Sequence, residues 1–357
     1  MRARRRTSFC TLLFLGVFCF LSPRVEAQKA ARDDAKREEW PDASEIKRLF
    51  NTGPDSPGER HIRSAFAAKE AGNDRLAIRE WSEVLRLQPS YSGAYYYRAQ
   101  AYERLDLIEK AVADLNIFLQ RNPKAAAGFA KRGIIYAERG EFERGLRDCN
   151  RALALDPKYA MGYALRGDVY RLKGEYRRAL EDADTALRLR PGLARAHQVR
   201  GRTYHELKDY RQAIRAYADA MRLDPKWPNP VLARGEARNA MGEYGAALAD
   251  YRRAVVLGPQ SPGAHNQLAW FLATCPEAKW RDGKTAVAEA TRACSLSQWK
   301  DAGNIDSLAA ALAEQGDFAG AAEREEEALR KAPAESRKSY AIHLASFRKK
   351  QPWREPR

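Results

Sequence analysis

The sequence predicts an all-α protein, a solenoid of about eight helical hairpins closed by a C-terminal capping helix. Three observations predict it. Pro89, Pro123, Pro157, Pro191, Pro225 and Pro259 each stand 34 residues after the last, and a fixed period of this length marks a repeat array rather than a folded single core. Small residues recur in phase with those prolines at two further positions. The composition is 45% hydrophobic and 31% charged, with Ala, Leu, Arg and Glu abundant and Val-Ile-Thr runs scarce, which favours helix over strand.

Residues 1–27 read as a secretory signal peptide: Arg2, Arg4, Arg5 and Arg6, an apolar stretch from Phe9 to Leu21, then Val25 and Ala27 as the small residues before a cut between Ala27 and Gln28. The apolar run is short for a span, which needs about 20 residues; a retained anchor is the alternative reading of the same segment. The predicted location is the periplasm or extracytoplasmic envelope, or secretion. Residues 28–57 follow as a charged linker, with one short helix expected around Trp40 to Phe50.

Setting each proline as position 32 of a unit divides the chain into 58–91, 92–125, 126–159, 160–193, 194–227 and 228–261. Position 8 is then small (Ala65, Ala99, Gly133, Gly167, Gly201, Gly235), position 11 aromatic (Tyr102, Tyr136, Tyr170, Tyr204) and position 20 small (Ala77, Ala111, Gly145, Ala179, Ala213, Ala247). Small residues let two antiparallel helices approach, the aromatic fills the space between hairpins, and Gly72, Gly140, Gly174 and Gly242 permit the turn within one. Proline lacks an N–H and ends the second helix. On these positions the sequence resembles the tetratricopeptide-repeat family, over about four-fifths of the chain. The resemblance implies a right-handed superhelix.

After Pro259 the pattern resumes with an insertion around PEAKWRDG, giving a seventh unit over 262–301. An eighth spans 302–335, with Leu308, Ala309, Gly316, Ala321, Ala328 and Pro333 in phase. Residues 336–357 are predicted as a capping helix, with Tyr340, Leu344 and Phe347 on its apolar stripe, and a basic tail. The AWFLATCP, RDGKTAV and LAAALAEQGDF segments resemble the closing module of many bacterial repeat proteins.

Position 7, usually Leu in the family, is Arg98, Arg132, Arg166, Arg200 and Arg234; sixteen residues on stand Asp114, Asp148, Asp182, Ala216 and Asp250. A largely buried guanidinium needs a paired carboxylate. The fixed offset therefore predicts structural ion pairs Arg98–Asp114, Arg132–Asp148, Arg166–Asp182 and Arg234–Asp250. The alternative is that these arginines grip a ligand.

The resemblance also implies that first helices line a concave wall and that positions 2, 5, 9, 12 and 13 contact partners. Carried over, these are Tyr96, Gln100, Ile134, Asp168, Arg171, Gln198, Arg202, His205, Glu236 and Asn239. The carboxylate clamp of chaperone-binding relatives is absent; only Arg202 matches any part of it. Each residue has a plainer reading: Tyr96 as a surface aromatic, His205 as a solvated histidine, Asp168 and Arg171 as an i, i+3 pair worth a few tenths of a kcal/mol, and Arg238, at the aromatic position, as a snorkelling side chain.

No nucleophile elbow, phosphate loop or zinc-protease motif occurs, and His61, His197, His205, His265 and His343 fall on different units without local ligand spacing. No catalytic residue, cofactor or metal is expected. Removal of residues 1–27 takes the net charge from +16 to about +12 and leaves Cys149, Cys275 and Cys294. These cysteines are predicted to be buried and structural; an oxidising compartment would permit a Cys275–Cys294 disulfide, but antiparallel helix packing is expected to separate them beyond the ~7 Å limit between Cα atoms. Because 47 acidic residues intersperse with 63 basic ones, nucleic acid is not the expected partner. The expected function is a non-catalytic scaffold for a protein or peptide. Two alternatives stand beside it: binding of an anionic polymer, motivated by Arg348, Lys349, Lys350, Arg354 and Arg357, and service as the regulatory subunit of an envelope enzyme.

Overall fold

The computed structural model describes residues 56–334 and 336–355; the signal-peptide and linker expectations, which fall on residues 1–55, lie outside the described residues. The described residues form seventeen α-helices and no strand. They pair as α1 (Pro57–Glu70) with α2 (Asp74–Leu87), α3 (Gly93–Arg104) with α4 (Ile108–Arg121), α5 (Ala126–Glu138) with α6 (Phe142–Leu155), and α7 (Ala160–Leu172) with α8 (Tyr176–Leu189). The series continues with α9 (Ala194–Glu206) and α10 (Tyr210–Leu223), α11 (Pro228–Ala240) and α12 (Tyr244–Leu257), α13 (Pro262–Thr274) and α14 (Gly283–Leu296), and α15 (Ala302–Glu314) and α16 (Phe318–Lys331). Helix α17 (Arg337–Arg348) packs on α16 and α15, burying Leu344 and Phe347.

Each hairpin closes tightly because its two helices meet through small residues. A Cβ on Gly145 would stand 2.6 Å from the Gly133 carbonyl oxygen, so the α5–α6 pair tolerates nothing larger. In seven of the eight hairpins the turn places position 15 in the left-handed region. Glycine takes it at Gly72, Gly140, Gly174, Gly242 and Gly316, but Asp106 (φ 57°) and Lys208 (φ 59°) adopt it without that freedom.

First helices of successive hairpins touch, α5 with α7, α7 with α9, α9 with α11 and α13 with α15, whereas second helices show no comparable contact with one another. An array whose first helices lie closer together than its second helices curves with the first helices inside. These form the concave wall.

The insert in the seventh hairpin is a short 3₁₀ turn, Ala278–Trp280, whose Trp280 ring lies where a Cβ on Gly245 would meet it at 2.9 Å. The insert therefore packs back on α12. Cys149, Cys275 and Cys294 are buried and unbridged, and burial pushes the Cys149 and Cys294 thiols up to about 12.

Candidate functional site: the concave wall and its supporting ion pairs

The arginines at position 7 sit between the two helices of each hairpin. Arg98 donates from Nε and Nη2 to both oxygens of Asp114 (2.8 and 2.8 Å), Arg132 to Asp148 (2.7 and 2.9 Å), Arg166 to Asp182 (2.7 and 2.8 Å) and Arg234 to Asp250 (2.9 and 2.6 Å). These are bidentate forks, the geometry a planar guanidinium makes best. The third nitrogen reaches the preceding hairpin: Arg98 to Ser82 Oγ, Arg132 to Asn116 Oδ1, Arg166 to Asn150 Oδ1. Each of these three side chains therefore ties one repeat to the last.

Two aromatic rings flank each of the same three guanidinium groups. Arg98 lies 5.6 and 5.7 Å from the Tyr95 and Tyr102 centroids, Arg132 5.7 and 5.8 Å from Phe129 and Tyr136, and Arg166 5.4 and 5.8 Å from Tyr163 and Tyr170. The rung at Arg200 lacks these partners. With Ala216 in place of Asp and His197 in place of the aromatic, Arg200 stands only 3.7 and 3.8 Å from Asp219 and Asp184 and 3.3 Å from His197 Nδ1. Arg238 does not simply snorkel: its Nη1 donates to Asp250 at 2.7 Å, so that carboxylate serves two arginines.

The wall itself divides. Tyr96, Gln100 and Ile134 line a cavity of about 770 Å³ with Lys131, Glu138 and Trp227. His205, Glu236 and Asn239 line a second, of about 740 Å³, with Tyr244 and Trp270. Tyr96 is not a loose surface aromatic; it is buried against Phe118, ring centroids 5.2 Å apart.

Asp168 and Arg171 are likewise not a surface pair. Asp168 is 2% exposed and accepts from Arg171 Nε at 2.8 Å and Arg195 Nη2 at 2.6 Å. Burial alone would raise its carboxyl, but Arg195, Arg171 and Arg202 outweigh it and hold it below the usual range. Gln198 and Ile134 are 0% and 1% exposed, so both belong to the interior more than to the open wall. The cause is the close contact of α5, α7 and α9, which covers positions 5 and 9 in the middle of the array. His205 is half-buried rather than solvated, with its ring edge-on to Tyr210 at 5.2 Å, and burial lowers its pKa against a weaker pull from Glu206. Burial raises the Glu236 carboxyl, with Arg202 opposing only in part.

Residues 351–355 leave α17 and run back along the wall. The Glu355 carboxylate accepts from Trp270 Nε1 at 2.6 Å and Asn239 Nδ2 at 3.1 Å, and its backbone N–H donates to the Thr274 carbonyl at 3.1 Å. Arg354 pairs with Glu314 at 2.5 Å and Arg348 with Glu326 at 2.7 Å. Two of the residues expected to form a free basic tail are thus internally neutralised. Sequence periodicity gave no signal for this fold-back, since the segment lies outside the repeat.

The sequence also missed a cluster that three successive helices bring together. Asp306 (α15), Glu325 (α16) and His343 (α17) are all buried, with ligand-capable atoms within 4.8 Å of one another. Among the described residues no helix is long and apolar enough to cross a membrane.

Stacked antiparallel hairpins with an inner wall of first helices define a helical-repeat solenoid. Family models of the tetratricopeptide repeat match residues 65–126, 107–160 and 194–227. Over these residues, about a third of the chain, the sequence matches the tetratricopeptide repeat. Its fold is similar to that in the crystal structure of the Cut9–Hcn1 hetero-tetramer of APC/C (TM-score 0.63, 15% identity, 91% of this chain and 62% of that one). It is also similar to yeast Tom70 (TM-score 0.58, 15% identity, 91% and 72%). A thermophilic repeat protein of Thermus thermophilus aligns at 21% identity over 50% of this chain and 98% of its own, with a TM-score of 0.46. At these identities the likeness shows the fold alone. A search of curated proteins finds no match. Proteins of this family generally mediate protein–protein interactions and are generally not enzymes.

Proposed function

We propose that the protein is an exported, non-catalytic scaffold whose concave wall holds an extended peptide segment of a protein partner. The observation that carries this reading is the chain's own segment 351–355: a non-helical backbone against α11 and α13, anchored by a carboxylate between Asn239 and Trp270. A wall that seats this segment by one backbone bond and one charge-assisted side-chain clasp has the chemistry to seat another of similar character. Arg202 supports the same reading, since its guanidinium has no hydrogen-bonded acceptor or ion-pair partner among the described residues, leaving its donors for an incoming acidic group.

The test uses a labelled peptide of residues 351–357 and a chain ending at Lys350. Saturable binding is expected, weakened by Asn239→Ala and by Glu355→Gln in the peptide; no binding to the shortened chain overturns the reading. Export rests on the first 27 residues, and N-terminal sequencing of the native protein is expected to begin at Gln28. Recovery of the intact Met1 form from the cytoplasm would refute it.

A further inference from the structure

We propose that Asp306, Glu325 and His343 form a binding site for one divalent transition-metal ion. The three side chains converge from α15, α16 and α17. His343 Nδ1 stands 2.8 Å from Asp306 Oδ1 and 3.9 Å from Glu325 Oε1, and one donor atom from each residue lies within 4.8 Å of the others. A zinc-sized ion with bonds of about 2.0–2.2 Å in tetrahedral geometry places its ligand atoms roughly 3.3–3.6 Å apart. The present separations bracket that range, so small torsional adjustments complete the site.

The second observation is the state of Glu325. Its side chain is fully enclosed (0% exposed), and as a carboxylate neither of its oxygens has a hydrogen-bond donor among the described residues. An enclosed carboxylate without partners is strongly unfavourable unless something neutralises it. The Asp306 carboxylate stands beside it, so the enclosed pair needs either a shared proton or a cation, and a metal must displace that proton. Of the cations on the same helices, Arg324 bonds Glu327 and Arg348 bonds Glu326. The imidazole of His343 is already hydrogen-bonded to Asp306. A single divalent ion would neutralise both carboxylates and take the imidazole nitrogen as its third ligand.

The donor set selects the class of metal. An imidazole nitrogen beside two carboxylates suits zinc, cobalt or manganese better than calcium or magnesium, which take oxygen ligands. A water molecule would supply the fourth donor. Ring contacts enclose the site, with Trp353 4.5 Å and Trp270 5.7 Å from His343. Metal binding would therefore clamp α17 to the last hairpin. Through Trp353 it would also hold the segment that carries Glu355 in the groove.

The test dialyses the metal-stripped full chain against Zn²⁺, Co²⁺ and Mn²⁺ and measures bound metal by mass spectrometry, alongside thermal melts. The variants are Glu325→Gln, which preserves shape, and His343→Gln. One equivalent of at least one ion is expected, with a higher melting temperature on loading. Both variants should bind more than about 100-fold more weakly, beyond the 10–100-fold lost with an outer-shell partner alone. If His343→Gln does not fold, judged by circular dichroism, Glu325→Gln decides. Absence of stoichiometric binding for all three ions, or binding that folded variants retain, overturns the proposal.

Discussion

Replacing Asp182 with alanine removes the acceptor of two Arg166 bonds, at 2.7 and 2.8 Å, and leaves a guanidinium that is only 21% exposed. Breaking a buried pair by deleting one partner costs about 3–5 kcal/mol. Arg166 keeps its bond to Asn150 and its place between Tyr163 and Tyr170, so Asp182→Ala should cost about 2 kcal/mol, below that range. Arg166→Leu should cost more, about 3 kcal/mol, because it strands the more deeply buried Asp182. The double variant carries the leucine usual in the family and already present as Leu268 and Leu308 in this chain. It should lose only about 2 kcal/mol, a coupling of about 3 kcal/mol between the two sites. Urea denaturation followed by circular dichroism measures the cycle, with hydrogen exchange of α7 and α8 amides localising it, because long repeat arrays need not unfold in one step. A double variant whose loss equals the sum of the single losses would refute the pairing argument.

Three further outcomes follow from particular residues. Ala216→Asp should complete the broken rung at Arg200, stabilising α9 and α10 by about 1 kcal/mol once Arg200 acquires a bidentate partner; unchanged exchange protection there would count against it. Lys208→Gly should stabilise by roughly 0.5–1 kcal/mol, because it relieves an L-residue held at φ 59°. Asp106→Gly should gain less, since aspartate tolerates that region better, and denaturant midpoints give the order. Burial lowers the pKa of His197 and His205 in the fold, so the unfolded chain binds protons more readily. Their contribution is present above the unfolded value of about 6.5 and is lost as pH falls from there through the folded values. Melts from pH 7.5 to 5 should show a shallower decline for the His197→Gln/His205→Gln variant; an unchanged decline would exclude these histidines as its source.

The fold was legible because its determinants are local and periodic: the proline that ends most second helices, the small residues at the hairpin contact, the glycine in most turns. The Arg–Asp forks were legible for a related reason. Their offset is constant from unit to unit, and the charge cost of a buried guanidinium demands a partner. The paired rings around those arginines were less legible, although Tyr95, Phe129 and Tyr163 stand at one repeat position, because the ring seven residues later already accounts for the packing between hairpins. What sequence could not supply was anything set by the curvature of the array. Gln198 and Asp168 read as wall residues, but the close approach of α7 and α9 encloses them. Asp306, Glu325 and His343 meet only after three helices have packed, and Glu355 meets Asn239 across 116 residues. Neither constellation has a period to betray it.

Site-specific photo-crosslinking in the native setting tests the binding wall most directly. A photoreactive side chain at Gln100 or Glu236, on the wall, is compared with one at Arg177 or Val256, on exposed second helices. Discrete partner adducts are expected from the first two positions and not from the second two. Adducts confined to Arg177 and Val256, or none from the wall positions, would contradict a scaffold that works through its concave face.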